Sequence, residues 1–252
     1  MSQRKKSQSK VQRLMHEDDD NDEDVTVSQI TSTQAQRARE NFTSDQIDRK
    51  VAEVVQFILV KDQKKIPVRR ADIVKHVMKE YKPIYSEVIN RVCRTFDQVY
   101  GFKLMEIDPK NHIYILINKL EFVPGMCPGK PKTGLLFVIL SVIFMKGGVV
   151  KENLVWNTLK KLGVDAGEKH EEFGDVKKLV TEEFVRQKYL EYVKIPHTEP
   201  VEFEIRWGLR AEHETSKLKL LEFVAELHDQ DPQSWSQQFK EANAAAESSQ
   251  RS

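Results

Sequence analysis

Cysteine is nearly absent from this chain: Cys93 and Cys127 are the only two in 252 residues. That excludes a disulfide framework and excludes a cysteine-rich zinc module, so each thiol reads as a reduced intracellular cysteine. A long apolar run is missing too. The longest, Gly134 to Met145, falls short of the roughly 20 residues a bilayer-spanning helix takes. The first residues are charged and carry no apolar signal core, so no secretory address and no membrane partner are expected, and the chain reads as cytoplasmic or nuclear. An excess of charge of one sign is likewise absent. Forty Lys and Arg stand against 39 Asp and Glu, for a net charge of +1, so any contact with nucleic acid must come from a local patch.

Catalytic signatures are lacking as well. Gly125 to Lys130 resembles a phosphate-binding loop, but its glycines are one residue too close and Pro131 stands where Ser or Thr would ligate magnesium. His170-Glu171 opens like a zinc-protease helix, yet Gly174 occupies the position of the second His. No residue argues for an enzyme, a cofactor or a metal.

What is present is apolar periodicity, and it begins at Asp45. Residues 1–44 read as a disordered tail in which a basic stretch (Arg4, Lys5, Lys6, Lys10, Arg13) runs into the acidic block Glu17 to Asp24. The basic stretch fits a nuclear localisation signal and a solvated tail equally. Ile47, Val51, Val54, Val55, Ile58 and Leu59 then share a helical face. A second helix follows Pro67, and a third carries Tyr85, Val88, Ile89, Val92, Phe96 and Val99 inward and stops at Gly101. Two strands, Phe102 to Ile107 and His112 to Ile117, close the unit as a hairpin.

Helix, helix, helix, hairpin is the order of a winged helix, and it recurs. Past a Pro- and Gly-rich linker, helices are expected over 133–146, 151–162 and 175–187, strands over 189–195 and 201–207, and a last helix over 212–228. The fold class is therefore mainly α with small β-hairpins, in two tandem winged-helix units with disordered tails. The expected boundaries are tail 1–44, unit 45–118, linker 119–132, unit 133–229 and C-terminal tail 230–252.

Two surface signals stand out. Lys177, Lys178, Arg186, Lys188 and Lys194 track the third helix and hairpin of the second unit, where winged helices meet a DNA groove and its phosphates. The competing reading is a solvated face neutralised by Glu182, Glu183 and Glu191. The second signal is surplus apolar surface. Phe57 to Val60 is an unbroken apolar run, and 133–145 is apolar nearly all round, so that helix needs cover on every side. Cover comes from the unit's own core or from a partner. A groove bordered by this helix and the last one is expected, with Leu136, Ile139, Leu140, Ile143, Leu218 and Leu221 as its candidate lining.

Several stretches carry a family resemblance. Tyr100-Gly101-Phe102-Lys103-Leu104-Met105-Glu106-Ile107-Asp108-Pro109, Pro131-Lys132-Thr133-Gly134-Leu135-Leu136, Phe173-Gly174-Asp175-Val176-Lys177-Lys178-Leu179 with Tyr189-Leu190-Glu191-Tyr192, and Trp207-Gly208-Leu209-Arg210-Ala211 before Glu214-Thr215-Ser216 resemble the MAGE homology domain over about residues 48–228. Leu209 stands where the family usually has Pro. Within the family, Val55 to Pro67 and Asp229-Gln230-Asp231-Pro232 with Trp235 resemble the branch that serves the SMC five/six chromosome complex. The resemblance implies tandem winged helices, a RING-type ubiquitin ligase partner, a kleisin partner and association with the SMC five/six heterodimer. It also implies double-stranded DNA binding without sequence preference, nuclear residence on chromosomes and a role in recombinational repair. It further implies that large aliphatic residues of the first helix meet the ligase; the matching positions are Ile58 and Leu59, beside Phe57. The kleisin would lie in the expected groove of the second unit. Two other readings stay open: an adaptor for a different RING ligase, and an independent DNA-binding regulator.

Overall fold

The structure is a computed structural model, and it describes residues 37–119 and 131–250. The basic and acidic blocks of the expected N-terminal tail, Cys127 and the loop 125–130 lie outside the described residues. The described chain is mainly helical with small antiparallel sheets and divides into two compact units. Among the described residues, one is 37–63 with 68–116; the other is 64–67 with 117–119 and 131–250.

In the first unit, α1 (Ser44–Asp62) starts at a capping box: Thr43 Oγ1 accepts from the Gln46 N–H while the Gln46 side chain accepts from the Thr43 N–H. Strand β1 (Val68–Arg69) leads into α2 (Arg70–Ile73), whose helical path continues through a wide turn, Val74–Met78, and tight turns, Lys79–Ile84. Next come α3 (Tyr85–Thr95), continued by a second wide turn Phe96–Tyr100, and the hairpin β2 (Phe102–Asp108) and β3 (Ile113–Asn118). The strands order as β1-β3-β2, with Val68 opposite Tyr114 and Arg69 opposite Ile113. Gly101, at φ 66, ends the α3 path in the left-handed conformation that glycine adopts without strain. The core gathers Ile47, Val54, Ile58, Ile73, Val88 and Phe96.

The second unit repeats this order. Helix α4 (Pro131–Met145) is followed by β4 (Val149–Lys151) and α5 (Glu152–Lys161). A two-stranded pair, β5 (Lys169–His170) with β6 (Gly174–Asp175), precedes α6 (Val176–Lys178), which runs on through Leu179–Glu183 and Phe184–Arg186. The hairpin β7 (Leu190–Lys194) and β8 (Phe203–Trp207) closes a sheet of order β4-β8-β7, which matches the first unit strand for strand. Then come α7 (Leu209–Glu214), α8 (Lys217–His228), a tight turn Pro232–Ser234 and α9 (Ser236–Gln250). Gly208 is required by close approach: a Cβ there would sit 2.4 Å from the Lys188 carbonyl oxygen. That carbonyl also accepts from the Arg210 N–H, and Leu209 opens α7 directly after the glycine.

Four expectations change. Order begins before residue 44: Ala38 packs against the core and Phe42 stacks on Tyr81 at 4.3 Å between centroids. Residues 230–250 are no tail, because α9 folds back on α8. The expected last helix is two, separated at Thr215-Ser216, where the Ser216 hydroxyl caps α8. Val99 does not face inward. The wide turn at Phe96–Tyr100 sets the helical phase back, and Val99 is 72% exposed. No helix among the described residues is long and apolar enough to cross a membrane.

Candidate functional site

Among the described residues, no group of three His, Cys, Asp or Glu is placed to hold a metal. His170 stacks on Phe173 and accepts from the Glu172 N–H. Burial pushes the Cys93 thiol up, away from the reactive thiolate. The features that stand out are surfaces.

On α1, the three residues expected to meet a ligase point in different directions. Ile58 is 1% exposed and lies in the core cluster with Val54 and Val88, so it is corrected from contact residue to core residue. Phe57 packs on the other flank, its ring 6.2 Å from His76 with Lys61 over its face. Leu59 alone lines an open cleft of about 600 Å³, with Val55, Val60, Gln63, Thr95 and Tyr100. Val60 is exposed at the rim. At the cleft's far end Asp48 is held by Arg91 (2.7 Å), which also grips Glu87. Burial would lower the Arg91 guanidinium, but the two carboxylates outweigh it and raise it. Thr95 and Tyr100 were missed because they join α1 only through tertiary packing.

On α4 and α8, Leu136, Ile139, Leu140, Ile143 and Leu221 are all buried in the second core, and Leu218 is half-buried against it. Five of the six expected groove residues are therefore core. The physical reason is that α8 packs on α4, and Trp207 reaches it from β8, its indole N–H donating to the Leu140 carbonyl at 3.0 Å. What stays open is a strip on the same two helices. Phe137 meets Phe223 edge to face at 5.1 Å, Phe223 is 41% exposed, and Leu227, one turn on, is 69% exposed.

Along α6, Asp175 caps the helix by accepting from the Lys178 N–H. Lys177, Lys178, Arg186 and Lys194 are exposed, and Lys188, at φ 66, is half-buried. Only Lys178 and Arg186 come together, in a shallow pocket shared with Lys132, Asp175, Glu182 and Glu183. Lys132 takes up Glu183 at 3.2 Å, so the neutralisation expected from that glutamate falls on another lysine. Lys177, Lys178, Arg186 and Lys194 hold no ion pair among the described residues.

The chain belongs to the MAGE homology domain family, whose model matches residues 54–218. It is 50% identical over 214 residues to the Non-structural maintenance of chromosomes element 3 homolog of Mus musculus, covering 83% of this chain and 77% of that protein. The Homo sapiens protein of the same name is 51% identical over 211 residues, covering 82% and 69%. MAGE-like protein 2 of Homo sapiens is 47% identical over 234 residues, covering 88% of this chain but 19% of that protein. Among solved structures, a chain of one titled Nse1-Nse3-Nse4 complex superposes with a TM-score of 0.78 at 58% identity, covering 80% of this chain and all of that one.

Proposed function

We propose that this chain is a non-catalytic adaptor subunit of the SMC five/six chromosome complex, joining a RING-type ubiquitin ligase subunit to a kleisin subunit. The observation that carries the reading is the 58% identity and full coverage of a chain from the Nse1-Nse3-Nse4 complex. Each unit is read as a winged helix, the hairpin being the wing. The chain stimulates the ligase rather than transferring ubiquitin itself, and its setting is the nucleus, in recombinational repair. The ligase docks at the α1 cleft through Leu59, Val60 and Tyr100, with Phe57 at the flank. The kleisin helix docks along Phe137, Phe223 and Leu227, in place of the buried residues first expected. Duplex DNA is met without sequence preference by Lys177, Lys178, Arg186, Lys188 and Lys194, through phosphates.

A second reading, an adaptor for another RING ligase, draws on the 47% identity to MAGE-like protein 2. Affinity purification of the tagged chain from nuclei, with identification of bound proteins, separates the two. The first expects a kleisin, a RING subunit and both SMC subunits in one eluate. A different RING protein with no kleisin would overturn it in favour of the second.

A further inference from the structure

The segment after α8 turns back along it. His228 meets Trp235 at one end (ring centroids 6.1 Å) and Lys217 meets Glu241 at the other (3.0 Å), so α9 lies antiparallel to α8. Its grip is thin. Among the described side chains of α9, Ala242 alone lies in the buried core. Trp235 and Phe239 are half-covered, and Gln238 donates to the Met145 carbonyl at 3.2 Å. The rest is mostly Ala, Ser, Asn and Gln. A 15-residue helix of that composition is marginal by itself, and a contact with so little burial belongs to the least stable part of a fold.

The receiving side is built far more elaborately than the helix it holds. The Lys217 side chain is 14% exposed, lies over the Trp207 ring at 5.2 Å, and bridges Glu212 (2.9 Å) and Glu241. Burial would lower its ammonium, but the two carboxylates outweigh it and raise it. Beside this cation an open space of about 210 Å³ remains between Phe144, Gly148, Trp207 and Glu241.

We propose that α9 is a releasable strap, and that the surface beneath it is a receptor for an amphipathic partner helix of the same pattern: aromatic at i, aromatic at i+4, carboxylate at i+6 and a small residue at i+7, as in Trp235, Phe239, Glu241 and Ala242. The proposal rests on the reading that the second unit receives a partner helix; the receptor is lined by residues other than Phe137, Phe223 and Leu227, and α9 is the competitor for it in the chain itself.

The test uses the full chain, its Glu241→Lys and Ala242→Asp variants, and a fluorescent synthetic peptide spanning residues 231–250. Hydrogen exchange over 236–250 is expected to quicken about fivefold in Glu241→Lys, the scale of one partly exposed ion pair, and further in Ala242→Asp. By anisotropy, the peptide is expected to bind both variants at least tenfold tighter than the wild type. A peptide carrying Glu241→Lys, or a receptor also carrying Lys217→Met, should lose that gain. Unchanged exchange in both variants, or no binding of the peptide to either, overturns the strap. The kleisin subunit is then titrated against the same chains. Tighter kleisin binding to the variants supports a shared receptor. Unchanged kleisin affinity beside intact peptide binding leaves the strap standing and removes the kleisin from this surface.

Discussion

Replacing Ile58 and Leu59 one at a time separates fold from function on a single helical turn. Ile58 is 1% exposed among Val54, Val88 and their neighbours. Cutting it to Ala removes buried carbon and leaves a cavity in a core that cannot collapse around it, at a cost of about 2–5 kcal/mol. In a unit of this size that lowers the melting temperature by roughly 10 °C or more. Leu59 lines the α1 cleft and is only half-buried, so Leu59→Ala should cost the fold about 1 kcal/mol at most. If it anchors the ligase, binding falls by about 2 kcal/mol, or roughly 30-fold. Thermal melts paired with calorimetric titration of the purified RING subunit read both quantities. Two results would refute the reasoning: a Leu59→Ala chain that binds the ligase as the wild type does, or an Ile58→Ala chain that melts normally and yet fails to bind.

Other outcomes follow from the second unit. Glu214→Ala strips the ion pair (2.9 Å) from Arg210, which is fully buried; a loss of about 3 kcal/mol is expected by urea unfolding, the low end for breaking a buried pair because Glu214 keeps some exposure. Phe223→Asp with Leu227→Asp should abolish kleisin binding at an unchanged melting temperature, whereas Leu221→Asp should unfold the unit, as circular dichroism would show. In the assembled complex, Lys177→Glu with Lys178→Glu should lower the log–log salt slope of duplex binding by about 0.9 for each phosphate no longer neutralised; an unchanged slope removes these lysines from the interface. The Asp165 carboxyl is held below the usual 3.8, first by the Gly167 N–H and then by Lys160. A lowered folded-state value means its local stabilisation is complete above about pH 3.8 and disappears as pH falls through the lower value. The Gly167 amide resonance should therefore titrate with a midpoint below 3.8, and one at or above it would contradict the assignment.

The helical face of α1, the stop at Gly101 and both hairpins were legible because each is written in local spacing. Strands β1 and β4, of two and three residues, were not: they exist only because a distant β3 or β8 offers them partners. The phase of α3 beyond Thr95 escaped because a wide turn leaves no compositional mark. Residues 236–250 read as a polar tail because one buried alanine and two half-covered aromatics give too little periodicity to register. At the surfaces, the apolar surplus was visible but not its direction. A helix apolar on every side, as α4 is, says that all of it is covered and nothing about what covers it, so spacing could not separate the buried residues from the exposed Phe223 and Leu227.

The shared strand order of the two units makes α1 and α4 counterparts, yet they end differently. From Leu135 to Met145 no residue of α4 is exposed, whereas α1 leaves Ala52, Gln56 and Val60 bare. The second copy has grown its own lid in α8; among the described residues the first has none. On the docking proposed for the α1 cleft, a ligase laid there would complete in trans the wrapping that α8 supplies in cis, and the half of the repeat without a lid is the half that needs company.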